Sequence, residues 1–106
     1  MSDALNAVKD SMQRLLDEAE TSNLDGATRT RLRQAVNVVA ENEKKIWMRT
    51  RIGKPMLESL TVASEAMTGL LRKGAGKKEV SEAMDRVEAV ASLIAEESRR
   101  RSMVVT

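Results

Sequence analysis

The stretch Val80-Ser81-Glu82-Ala83-Met84-Asp85-Arg86-Val87-Glu88-Ala89-Val90-Ala91-Ser92-Leu93-Ile94 decides the fold. Val80, Met84, Val87, Ala91 and Ile94 follow one another at spacings of four, three, four and three, the seam of an amphipathic helix. A half-buried strand would alternate apolar and polar residues, and this stretch does not. The seam predicts a helix over about 77–100, followed by a frayed tail at 102–106.

The same period recurs upstream. Met56, Leu60, Ala63, Met67, Leu70 and Leu71 predict a helix over 55–73 that breaks at Gly74-Ala75-Gly76. Leu32, Ala35, Val36, Val39, Ile46 and Trp47 predict one over 27–50. It ends before Gly53-Lys54-Pro55, where Gly permits a left-handed residue and Pro suits the start of the next helix. Leu5, Val8, Met12, Leu15, Leu16 and Ala19 predict a helix over 4–21, with Asp3 as N-cap and the turn cluster from Thr21 to Gly26 as its end. Short connections favour antiparallel neighbours. The expected fold is therefore all-α, a single helical domain over 1–106, built as a four-helix bundle or as two tandem antiparallel hairpins and open to completion by self-association.

Composition gives a reason for self-association. Of 106 residues 42% are hydrophobic, but Leu, Ile and Val make up only about a fifth, so the core leans on seven Met and thirteen Ala. A domain of this size draws little surplus stability from one core, and burial between subunits supplements it. Sliding the chain by 55 residues superposes Met12, Leu15 and Leu16 on Met67, Leu70 and Leu71, Arg31 on Arg86, and Ala40-Glu41 on Ala95-Glu96. Two related helical hairpins would produce this pattern, and so would two amphipathic helices slid into apolar register.

Charge is uneven. Residues 1–26 carry two basic and six acidic groups, and residues 27–54 carry eight basic and two acidic. This asymmetry favours pairing the first helix with the second, and it predicts that Arg29, Arg31 and Arg33 face the acidic first helix as a solvated surface.

The chain has no His and no Cys, which removes the usual general base, the thiol nucleophile and the common transition-metal ligands other than carboxylate. Glu41 and Glu43 diverge on a helix, as do Glu96 and Glu97. No carboxylate stands four residues before a Gln, since Lys9 precedes Gln13 and Thr30 precedes Gln34. Gly74 and Gly76 belong to no phosphate-binding loop. The expectation is a protein that is not an enzyme and takes no metal or cofactor. The N-terminus lacks a basic region and no apolar run approaches the roughly 18 residues of a membrane span. A cytoplasmic protein with no membrane partner is expected.

The sharpest local feature runs from Lys44 to Lys54. It holds Lys44, Lys45, Arg49, Arg51 and Lys54, no acid, and the lone aromatic residue, Trp47. As a partner site, its cations would meet phosphates or acidic side chains while Trp47 stacked or filled a pocket. As plain architecture, Trp47 closes an apolar stripe and the cations complement a helix C-terminus. Arg99, Arg100 and Arg101 end the fourth helix, and an up-and-down bundle would bring them to the same end as 44–54. Glu43 lies in the second helix's apolar stripe, so it either pairs across an interface and fixes register or marks where the core opens to water. The expected partner is another protein, including a second copy of the chain as a homodimer, with the chain acting as adaptor, chaperone-like protein or regulator. A nucleic acid held by the basic patch at 44–54 and 99–101 is the alternative.

Overall fold

Each apolar stripe becomes the inner side of a helix. The computed structural model describes residues 3–22, 24–42 and 54–104, apart from the side chains of Asp3, Ser98 and residues 100–104. Four helices, α1 (Asp3–Thr21), α2 (Gly26–Glu41), α3 (Lys54–Arg72) and α4 (Lys77–Val104), pack on one another. No strand occurs among the described residues, so the fold is an all-α bundle.

Two boundaries differ by more than one residue from the sequence reading, and Asp3, expected as an N-cap, is instead the first residue of α1. α2 was expected to reach residue 50 but ends at Glu41, where Asn42 is the C-cap. Asn42 donates its backbone N–H to the carbonyls of Val38 and Val39, and its Nδ2 to Val38 O at 2.7 Å. A short amide side chain bonding back to the helix competes with propagation. Ile46 and Trp47, the last residues of the expected stripe, lie outside the described residues, as does Glu43. α4 continues to Val104, so 102–104 belong to the helix and not to a tail. No Gly or Pro stops it, and arginines at 99–101 favour the negative end of the helix macrodipole.

The two described turns are closed by local hydrogen bonds. Asp25 caps α2 by accepting from the Thr28 N–H at 2.8 Å. α3 ends in a Schellman arrangement: Ala75 N donates to Leu70 O at 2.9 Å, Gly74 N to Leu71 O at 3.2 Å, and Gly74 adopts φ of 69°. Only glycine takes that backbone conformation without strain.

Contacts between the helices set their directions. α1 lies along α3, α3 along α4 and α4 along α2, whereas α1 and α2 meet sparingly. Arg72 donates to Glu18 at 3.4 Å, joining the last turns of α3 and α1, and Ser11 and Arg14 line a groove with Glu65 and Thr68 further along. Lys77 Nζ lies 3.7 Å from Asp25 Oδ2, joining the first turns of α4 and α2. α1 is therefore parallel to α3, α2 is parallel to α4, and both turns sit at one end. The bundle measures 47 × 24 × 18 Å, and the 28 residues of α4 run most of its length.

This packing corrects the pairing expected from charge. Acidic α1 spends its contact surface on α3, and basic Arg31 grips α4 instead of facing α1. Charge joins α1 to α2 at Arg33 and Glu20, 3.6 Å apart, with both side chains about two-thirds exposed. Such a pair contributes little. The α1–α3 contact holds small residues instead: Ser11, Ser64 and Thr68 are buried. Ser11 and Thr68 donate their hydroxyls to the carbonyls of Val8 and Ser64 within their own helices, at 3.0 and 2.9 Å. Short side chains that satisfy themselves locally let two helices approach closely.

The core is filled by Leu15, Leu32, Leu60, Met67, Met84 and Ile94, all fully enclosed, with Val8, Val87 and the smaller residues around them. Each such side chain contributes roughly 1.5–3 kcal/mol by leaving water. Every member of the α4 seam is buried.

Candidate functional site

The basic patch read from the sequence falls largely outside the described residues: Lys44, Lys45, Trp47, Arg49 and Arg51 all do, together with Glu43. Lys54 opens α3 and is exposed; Arg99 is exposed on α4; Arg100 and Arg101 lie on the same helix, their side chains outside the description. Because α2 and α4 are parallel and α3 runs against α4, the end of α2, the start of α3 and the late turns of α4 share the end opposite the two turns. Lys54 and Arg99 lie there, about 27 and 33 Å along their helices from the turn end at about 1.5 Å per residue.

The turn end holds a cleft of about 460 Å3 bordered by Leu24, Thr28, Leu71, Lys77 and Val80, among others. Asp25 stands beside it. Bonds accepted from Thr28, through the side chain and then the backbone, hold the Asp25 carboxyl below its ordinary value, and Lys77 adds to this. The carboxylate is committed to capping α2, which makes it a structural group.

Sequence reasoning missed a clasp in the middle of the bundle. Arg31 donates from Nη2 to Asp85 Oδ1 at 2.6 Å and from Nε to Glu88 Oε2 at 3.1 Å, and Nη2 also meets Glu88 Oε1. The bonds to Glu88, then those to Asp85, raise the guanidinium further above its already high range. A lone Arg opposite two acids three residues apart on a helix was the available signal, and it was obscured by the assumption that Arg31 faces α1.

Also missed was the outer side of the α3–α4 pair. Val62 is 65% exposed and Leu93 51% exposed, both outside the stripes that form the core. From their level toward the α3–α4 turn runs a shallow groove of about 210 Å3, with Ala63, Ala66 and Leu70 on the α3 side and Glu79, Glu82, Ala83 and Arg86 on the α4 side. Val62 stands one turn before Ala66, and Leu93 two turns after Arg86, so both lie on this outer side. The arrangement offers apolar contact area with charges at its border and no convergent acid–base pair.

No family model matches this chain, and neither a curated protein nor a solved structure matches it. Among the described residues no group of acidic side chains is arranged to hold a metal ion, and no helix is long and apolar enough to cross a membrane.

Proposed function

We propose that the chain is a non-enzymatic protein-binding module acting through its helical surfaces, as an adaptor, a chaperone-like protein or a regulator. One observation carries this reading: Val62 and Leu93 stand exposed on the outer side of α3–α4, beyond the end of a groove floored by alanine. A continuous apolar patch rimmed by polar residues marks an interaction site, and Val62, Leu93 and the alanines of the groove supply the apolar part of this one. Charge at the rim, from Glu79, Glu82 and Arg86, fits the polar border of protein interfaces. Replacing Val62 and Leu93 together by Glu tests the reading. Loss of a stoichiometric protein partner from the variant supports it, and unchanged association of every partner overturns it.

A nucleic-acid-binding regulator is the second reading. It is favoured by the antiparallel run of α3 against α4, which brings Lys54 and Arg99 toward one end. Its test is binding to generic duplex DNA and to RNA as salt is varied. Micromolar affinity falling steeply with salt supports it, and absence of binding at low salt overturns it.

A further inference from the structure

The relation between the two helix pairs says what covers the outer side of α3–α4. Arg31 and Asp85 are 54 residues apart, as are Glu18 and Arg72, so the α1–α2 pair lies beside the α3–α4 pair in nearly the register of the 55-residue shift. The pairs thus lie side by side and parallel, in the relation of neighbouring units of a helical repeat array, although α1 and α2 touch each other much less than α3 and α4 do. In such a stack, the side by which one unit contacts the next reappears on the following unit as its free side.

The burial pattern follows this rule. Residues that the first pair buries toward the second include Ser11, Leu15 and Ala35; the shift carries them to Ala66, Leu70 and Val90, which are exposed or half-buried. Arg31, which clasps the second pair, maps to Arg86 on the rim of the outer groove. The second pair's outer side therefore repeats the apolar and arginine pattern that the first pair uses for docking. The opposite end of the stack is finished differently. Ser64 and Thr68, both buried in the second pair, map back to Lys9 and Gln13, both exposed on α1. The outer side of α1 is polar there, as a terminal repeat requires, whereas the outer groove of α3–α4 is apolar along its floor with charges only at its rim.

We infer that the outer side of the α3–α4 pair docks against the same side of a second copy of the chain about a two-fold axis. Head-to-tail stacking would set the apolar side of one copy on the polar outer side of α1 of the next, so the pairing that matches apolar to apolar is isologous, and it closes at two. The rim carries both signs, Glu79 and Glu82 with Arg86, so it complements itself better than it complements a uniformly charged partner. The size fits a reversible dimer. The side is about 27 Å long by two helix widths, a footprint on the order of 500 Å2, which is the size of a weak interface, below the roughly 800 Å2 per partner of a standard one.

This inference rests on the protein-binding reading and names its partner. Sedimentation velocity of the full chain, with Val62→Glu/Leu93→Glu and Gln13→Ala beside it, is the test. The expected result is twice the chain mass for the wild type and for Gln13→Ala at micromolar concentration, and loss of the dimer in the double variant with helical circular dichroism unchanged. Both replaced residues are exposed, so the double variant keeps its fold; if its helicity falls, Arg86→Glu is scored by the same loss of dimer. A wild type that is monomeric at high micromolar concentration overturns the inference, as does a dimer untouched by the double variant. A monomeric wild type whose double variant nevertheless loses a different protein partner overturns the dimer and leaves the protein-binding reading standing.

Discussion

Arg31 Nη2 lies 2.6 Å from Asp85 Oδ1, a bond between α2 and α4 whose 54-residue separation nearly equals the shift that superposes the chain on itself. The bond fixes the rotation of α2 against α4, because Nε of the same guanidinium is held by Glu88 at 3.1 Å. A planar fork held by two acids one turn apart tolerates little sliding.

Arg31→Ala is expected to destabilise the bundle by about 1 kcal/mol. The figure is small because Asp85 is 65% exposed and Arg31 and Glu88 about a third exposed, so solvent screens the attraction. Urea denaturation of Arg31→Ala, Glu88→Ala and the double variant measures the coupling, expected near 0.5–1 kcal/mol and smaller in high salt. Additive single effects would show that the clasp adds no stability.

Asp25 links stability to pH. Its carboxyl is held below the ordinary value of 3.8, so its contribution is complete above that value and disappears as pH falls from there through the lower folded value. Thermal melts of the wild type should drop in midpoint below about pH 4. Asp25→Asn keeps a capping oxygen but not the titration. It should melt lower than the wild type at neutral pH and show a shallower acid decline.

Ser64 is fully enclosed, and its Oγ finds no hydrogen-bond partner. An enclosed hydroxyl without a partner costs free energy, and Ala is the better helix former. Ser64→Ala should raise stability by up to about 1 kcal/mol, measured as a higher urea midpoint at unchanged slope. A large loss would show that the hydroxyl bonds something in solution.

Met84 is fully buried on the α4 seam. Met84→Ala should cost about 2–5 kcal/mol, and the nearly isosteric Met84→Leu less than about 1.5 kcal/mol. Equal losses in the two variants would mean that shape, not volume, sets the packing there.

Much of this architecture is legible residue by residue. Leu5, Val8, Met12, Leu15 and Ala19 were expected inside and are buried, as are Leu32, Ala35 and Val39, and all five members of the α4 seam. Leu57 lies off the stripe that starts at Met56 yet is 3% exposed, because it stands one turn before Leu60 and shares its inward side. The patch at 44–53 lies outside the described residues, so the sequence alone speaks for it. The outer side of α3–α4 left only a faint trace: Val62 and Leu93 stood off the stripes.

By itself the sequence determined four helices, their inward sides, and the Gly74 turn that ends α3. Period, capping residues and a required left-handed backbone are local properties, and short segments of chain contain them in full. Tertiary structure decided which helix lies beside which. An apolar stripe specifies a buried side without naming its neighbour, and net charge summed over a segment does not say where each charge points. Small residues that let α1 approach α3, and one arginine aimed at two acids on α4, set the parallel pairs against the pairing that segment charge favoured.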